Sequence, residues 1–168
     1  MDRLAKEILK ELLPAEKEIA PAPKRGKGKD ATVAVDHWTP AILLERGRYL
    51  RELARHGDGQ ASETLKEYPQ HHAMLSFRAR DGVAELHEKF ADVFYVLAGG
   101  ASLVTGGTVA GAHSVAPGEI RGDRVDGGLQ QQLRAGDVAH VPAGVPHQML
   151  VASDKTVTCL VMKIRESE

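Results

Sequence analysis

The chain is 168 residues long and carries 22 Lys and Arg against 23 Asp and Glu, a formal net charge of −1. This length fits one domain whose core is large enough to fold without disulfides. The balanced charge argues against a general nucleic-acid binder, whose domain is clearly basic. With one cysteine, Cys159, the chain can form neither an internal disulfide nor a cysteine-rich zinc site.

Two absences in the sequence bear on location. No apolar run approaches the roughly 18 residues of a membrane span. Residues 1–7 are too charged for the apolar core of a secretory signal. Together with the single thiol, these features predict a protein of the reducing cytoplasm that has no membrane segment.

The first 36 residues have a composition of their own. Residues 2–13 place Leu4, Ile8 and Leu12 at helical spacing, and Pro14 stops the pattern. Residues 21–30 are rich in Pro, Gly and Lys and predict a flexible linker. A solvated linker explains the four basic residues better than a nucleic-acid contact or an import signal. We expect residues 1–36 to form a helix and linker, the helix docking on its own body or on a second subunit.

Residues 37–70 predict a helical extension. Thr39 and Pro40 match an N-cap followed by proline at the first helical position. Ile42, Leu43, Tyr49, Leu50 and Leu53 give the segment an apolar face, and Gly57 ends it. A short turn is expected around residues 65–68.

From residue 71 onward the hydrophobic period changes to two, and glycine-containing turns follow at short intervals. This pattern predicts an all-β sandwich or barrel over residues 71–168. Residues 111–128 are expected to be a longer excursion between strands. The predicted strands lie near 73–79, 83–87, 93–98, 101–104, 107–110, 129–133, 137–141, 147–152 and 156–163.

Residues 136–147 fit the pattern G-x5-P-x-G-x2-H. Gly136 turns the chain into a strand, and residues 142–146 form a rigid corner in which Gly144 can adopt positive φ. His147 then begins the next strand at a preset position. The combination of turn residues and histidine is specific for a short motif.

A second segment carries Glu85 and His87 two residues apart on a predicted strand. Side chains at that spacing point to the same face of a sheet. Asp92 opens the next strand after a short turn, and six residues separate it from Gly99. These positions predict a polar group on one face of the barrel.

The two segments resemble the paired motifs of the cupin family. The family's first motif runs H-x-H, three or four residues, Glu, six residues, Gly. Every spacing matches here, although Glu85 stands at the first histidine position and Asp92 at the glutamate position. The second motif matches fully over residues 136–147. The resemblance covers residues 71–163 and implies a double-stranded β-helix, the jelly-roll barrel of cupins, preceded here by helical segments.

The resemblance also implies a metal site. Carried over position by position, Glu85, His87, Asp92 and His147 would hold one divalent ion. Two imidazoles and two carboxylates suit Fe, Mn, Zn or Ni. Two alternatives stay open: a three-ligand site without Asp92, whose side chain is one methylene shorter than glutamate, and a metal-free barrel. A rival register pairs His87 with Lys89, but a protonated lysine is a poor metal ligand.

For function, the resemblance implies a metal-dependent enzyme acting on a small organic molecule by oxygenase-, isomerase- or lyase-type chemistry. Glu85 or His140 would move a proton. The alternative is a non-catalytic module that binds or senses a small ligand, since the fold by itself does not choose. Cupins often pair as homodimers, and the helix over 2–13 and the strand near 73–79 are the candidate contacts. No nucleic-acid or membrane partner is expected.

Overall fold

Residues 35–166 are described by a computed structural model of the protein. The chain divides into two units, Met1–Thr39 and Pro40–Glu168. The helix predicted over residues 2–13 and the linker predicted over 21–30 lie outside the described residues. The helix and strands described below all belong to the second unit.

The second unit begins with one helix and continues with strands. We label them in chain order: α1 Pro40–Arg55, β1 Gln60–Glu67, β2 His71–Arg78, β3 Ala84–His87, β4 Phe90–Thr105, β5 Thr108–Ala110, β6 His113–Ala116, β7 Glu119–Gly122, β8 Arg124–Asp126, β9 Leu129–Arg134, β10 Val138–Val141, β11 His147–Leu150 and β12 Val157–Arg165.

Helix α1 begins at Pro40, as predicted. Its buried residues are Leu43, Gly47, Leu50 and Ala54, which follow helical spacing on one face. The inclusion of two small residues in this stripe lets the helix approach the sheet closely. A Cβ at position 47 would lie 2.9 Å from Cγ2 of Thr158 on β12.

The predicted helical extension over 37–70 is wrong for its second half. Residues 60–67 form strand β1, which pairs antiparallel with β2 from Gln60 opposite Arg78 to Glu67 opposite His72. The segment is polar and has no apolar alternation, so the sequence carries no strand signal there. Pairing with β2 therefore decides the conformation.

Ten of the described strands form one antiparallel sheet, in the path β1-β2-β12-β4-β11-β3-β7-β6 with β9 and β10 also on β4. Strand β4 joins the two predicted strands 93–98 and 101–104 into one. Its first part pairs with β12 and β10, and its second part pairs with β11 and β9. The sheet curls at Gly99, where φ is +74° and a Cβ would lie 1.9 Å from the carbonyl oxygen of Thr156.

Strand β2 corresponds to the predicted strand near 73–79, a candidate for subunit pairing. It is hydrogen-bonded to β1 on one edge and to β12 on the other. Both edges are therefore occupied within the chain. Neither edge of β2 is thus open to a partner strand, whereas a contact of this strand with a second subunit, and the homodimer itself, stay predictions.

Residues 111–128 also differ from expectation. Instead of a plain excursion they contain β6, β7 and β8. Strand β7 pairs with β3, which brings Glu119 opposite His87 and Arg121 opposite Glu85. The segment is polar and irregular in sequence, so only its pairing with β3 reveals it as part of the sheet.

The core lies between the faces of the curled sheet. It contains Phe94 and Val96, and Met149 and Val151, two pairs of residues that are each two positions apart in the chain. The prediction of an all-β jelly-roll barrel preceded by a helix is confirmed for the described part of the chain. No helix within residues 35–166 has the length and apolar character that a membrane crossing needs.

Candidate metal centre

The four predicted ligands come from three strands. Glu85 and His87 lie on the short strand β3, Asp92 lies near the start of β4, and His147 begins β11. His147 is paired in register with Glu85. Each side chain offers one donor atom to a group whose members lie within 4.8 Å of one another. The structure thus brings together all four residues.

The distances within this group are short enough for one ion. His87 Nε2 lies 3.4 Å from Glu85 Oε2 and 3.5 Å from Asp92 Oδ2. His147 Nε2 lies 3.4 Å from the same Asp92 oxygen and 3.8 Å from Glu85 Oε2. Two donors at about 2.0–2.2 Å from one ion are separated by at most about 4.4 Å. Asp92, despite its shorter side chain, therefore reaches the group.

Both imidazole rings are oriented by a hydrogen-bond acceptor at Nδ1, the ring nitrogen that faces away from the group. His87 Nδ1 lies 2.6 Å from Glu119 Oε2, and His147 Nδ1 lies 3.1 Å from the carbonyl oxygen of Val145. Each acceptor favours a proton on Nδ1, so that Nε2 faces the group and offers its lone pair when the ring is neutral. A carboxylate or carbonyl behind each histidine is the usual support of a metal-bound imidazole.

The environment of His147 Nε2 shows whether the residues present suit a metal ion. Among the described side chains, it is a buried polar atom without a hydrogen-bond partner. A buried group in that condition costs free energy unless something else satisfies it. A divalent cation accepts the lone pair, and the two carboxylates neutralise its charge. The residues present therefore fit a metal ion.

Lys163, on β12, enters the same group. Its Nζ donates to Asp92, with distances of 2.7 and 2.9 Å to Oδ1 and Oδ2, and lies 2.8 Å from His87 Nε2. The contact with His87 is a hydrogen bond only when one of the two nitrogens offers a lone pair. The ammonium thus interacts with two of the four donors that a metal would use.

These contacts set the ionisation of the carboxyl groups. Burial raises the pKa of Glu85, but His87, Arg121, His147 and Lys163 together lower it to about 2. Burial likewise raises the pKa of Asp92, and its contacts with His147, His87 and Lys163 outweigh this and hold it well below its usual range. For His87 burial lowers the pKa, whereas Asp92 and Glu85 raise it to about 9. The group is therefore ion-paired at neutral pH.

Two other predicted positions do not join this group. His140 lies on β10 with its side chain 55% exposed, and its Nε2 is 4.0 Å from Glu166 Oε1. The alternation of β10 turns it away from the interior. Lys89, the ligand of the rival register, is exposed as well.

Sequence reasoning missed three residues of the site: Glu119, Arg121 and Lys163. Arg121 Nε lies 3.6 Å from Glu85 Oε1, and its Nη1 lies 3.3 Å from Glu119 Oε2. The position of Lys163 could have been predicted from the sequence, because it shares strand parity with the buried Val157, Cys159 and Val161. Glu119 and Arg121 carried none, since their strand was not predicted.

Comparison with known proteins identifies the class. Residues 113–163 match the family model described as the cupin domain. This match spans β6 to β12 and includes His147 and Lys163, while Glu85, His87 and Asp92 lie before it. Together with the jelly-roll topology already described, this match shows that the second unit has the cupin fold. No curated protein sequence matches the chain.

Several solved structures are similar to this chain. The protein TT1209 from Thermus thermophilus has a TM-score of 0.50 and 20% identity, covering 70% of this chain and 95% of that one. A cupin 2 conserved barrel domain protein from Salinispora arenicola CNS-205 has a TM-score of 0.44 and 18% identity, covering 64% and 77%. The polyketide cyclase RemF from Streptomyces resistomycificus has a TM-score of 0.47 and 18% identity, covering 64% of this chain and 66% of that one. At these identities the likeness concerns the fold alone.

Proposed function

We propose that this cupin binds one divalent metal ion through Glu85, His87, Asp92 and His147 and acts as an enzyme on a small organic molecule. The observation that carries the proposal is the partnerless, buried Nε2 of His147, aimed at three further donors. Fe, Mn, Zn and Ni all suit a set of two imidazoles and two carboxylates. The reaction is of oxygenase, isomerase or lyase type.

An ion bound at this centre would polarise a substrate oxygen as a Lewis acid. The chain's own residues divide the remaining work. Glu119 and the Val145 carbonyl keep the two imidazoles oriented. Glu85, 21% exposed in its side chain, lines the cavity beside the group, so a molecule in the cavity meets its carboxylate. We assign to Glu85 the transfer of a substrate proton.

Elemental analysis of untagged protein tests the metal site. We expect one equivalent of bound divalent metal in the wild type. In His87→Ala and in His147→Ala the bound metal should fall at least tenfold. His140→Ala is the matched control, because His140 is an exposed histidine outside the group. Metal that is substoichiometric in the wild type, unchanged in both variants and not restored by adding Fe, Mn, Zn or Ni would exclude the proposal.

A second candidate is a non-catalytic, metal-free cupin that binds or senses a small ligand. It is favoured by Lys163, whose ammonium neutralises Asp92 and contacts His87 with no ion required. Ligand binding then persists after treatment with a chelator, and added metal changes neither the affinity nor the melting temperature. The metal-dependent enzyme instead loses turnover with the chelator and regains it with metal.

A further inference from the structure

The candidate metal centre opens on a cavity of about 210 Å³ inside the curled sheet. One end, the cluster end, is lined by Glu85, Asp92, His147 and Lys163. The other, the Arg78 end, is lined by Arg78 with Gly82 and Val157. This volume lies below the roughly 300–1,000 Å³ of pockets that hold drug-sized ligands. The cavity thus admits only a small molecule.

Register places the two ends far apart on one face. Arg78 is opposite Val157 on β12, and Lys163 lies six residues further along the same strand. At about 3.3 Å per residue, the backbone positions are separated by about 20 Å. The side chains of Arg78 and Lys163 both line the cavity, so they approach it from opposite ends.

The charges that line this cavity do not balance. Three cations, Arg78, Arg121 and Lys163, face two carboxylates, Glu85 and Asp92. Lys163 is bonded to Asp92, and Arg121 lies beside Glu85. A divalent ion at the cluster end adds further positive charge. The cavity is therefore suited to an anion.

Arg78 is the cation that has no counterion. Across the described part of the chain no carboxylate lies within ion-pair distance of its guanidinium, which donates from Nη1 to the amide oxygen Oε1 of Gln60. Cys159 lines the cavity too, but burial raises the pKa of its thiol to about 12, so it stays uncharged. A half-buried guanidinium without a negative partner is costly to hold in place.

We propose that Arg78 binds the carboxylate of a small organic acid, which is the ligand of this cavity. The planar fork of a guanidinium matches a carboxylate, and the nitrogens that Gln60 does not engage are available. Ser62 and Ser76 add hydroxyls to the lining, and Met74 and Met149 add apolar surface for a short carbon chain. Only the role of this acid as substrate rests on the proposed metal-dependent function.

NMR spectroscopy of ¹⁵N-labelled protein, metal-free and zinc-loaded, tests the proposal. The probes are propionate, butyrate and succinate, each against its neutral amide. We expect the acids to shift the Arg78 Nε–H signal and the amide signals of Gly82 and Val157, and the amides to leave them unchanged. In Arg78→Met the affinity for the acids falls at least tenfold, with the metal content unchanged.

Two further variants complete the experiment. Arg78→Lys retains the positive charge but lacks the planar guanidinium, so the affinity for the acids should weaken several-fold without being lost. This variant tests the proposal if Arg78→Met fails to fold. Arg80→Met is the control, because Arg80 is exposed and paired with Asp58. Equal shifts from acids and amides, no shift from any acid, or wild-type binding by Arg78→Met would overturn the proposal. A protein that binds the acids but takes up no zinc would overturn only the metal site.

Discussion

The two ends of the cavity handle charge in opposite ways. At the cluster end, Asp92 contacts Lys163 and both imidazoles, and each ionised group has a partner within 4 Å. At the Arg78 end, a guanidinium faces the same cavity with a neutral amide as its partner. Both ends are positioned by β12, which contributes Lys163 near one end and Val157 near the other.

This difference separates what stabilises the protein from what prepares it for a ligand. A paired buried charge destabilises the fold strongly only when one partner is removed. An unpaired charge at the edge of a cavity costs stability until a ligand supplies the counterion, as is common at functional sites. Substitutions at the two ends should therefore change stability by different amounts.

The largest effect is expected from Asp92→Asn in the metal-free protein. The substitution leaves Lys163 and the two imidazoles without their shared carboxylate, and breaking a buried pair in this way costs about 3 kcal/mol or more. Urea denaturation measures the loss. The control is Glu63→Gln, which breaks the exposed pair with Arg46 and should cost at most about 1 kcal/mol. Equal losses in the two variants would show that the cluster end is not internally paired.

The second largest effect is expected from low pH, which should reduce the contribution of the cluster end to the free energy of unfolding. The pKa of Glu85 falls from 4.5 to about 2 on folding, so its contribution is complete above about pH 4.5 and is lost as the pH falls through about 2. The contribution is on the order of 3 kcal/mol. Urea denaturation of wild type and Glu85→Gln checks this, since the advantage of the wild type at about pH 6 should shrink toward about pH 2. A constant difference across that range contradicts the ion-paired state of Glu85.

Removing the ammonium from the cluster end should strengthen metal binding. An incoming ion must displace Lys163 Nζ from Asp92 and His87, so Lys163→Met should lower the dissociation constant for Zn²⁺ or Mn²⁺ by about tenfold, or about 1.4 kcal/mol. Competition titration against a chromophoric chelator measures this constant. Lys155→Met, which changes an exposed lysine, should leave it unchanged. Weaker binding in Lys163→Met would mean that the lysine supports the ion.

The smallest effect belongs to the Arg78 end. Because no carboxylate loses its partner, Arg78→Met should leave the unfolding free energy of the ligand-free protein unchanged or raise it by up to about 1 kcal/mol. Urea denaturation gives this value, with Arg80→Met as the exposed counterpart. A loss as large as that of Asp92→Asn would show that Arg78 stabilises the fold itself.

The four metal-ligand candidates came from the resemblance to the cupin motifs, and local geometry explains why those positions carry over. Two residues apart on a strand, Glu85 and His87 share a face whatever the strand pairs with. The corner before His147 depends on Gly144, whose φ of +74° glycine adopts readily. The helix start at Pro40 was readable for the same reason, since proline sets φ for the first turn.

The features that the sequence did not predict depend instead on contacts between strands that are distant in the chain. Strand β1 is polar and becomes a strand only through its pairing with β2. His140 was predicted as a candidate for proton transfer, yet β10 places it on the outer face. Glu119 and Arg121 reach the site only because β7 pairs with β3, whose sequence lies more than thirty residues earlier.

By itself, the sequence predicted the class of fold, because turn residues and strand parity act over a few neighbouring positions, and its resemblance to the cupin motifs supplied the four candidate ligands. Only the tertiary structure decided how the charges meet. It placed Lys163 among the donors, Glu119 behind His87, and Arg78 in the cavity without a counterion. These contacts depend on the register between strands distant in the chain, which no local pattern specifies.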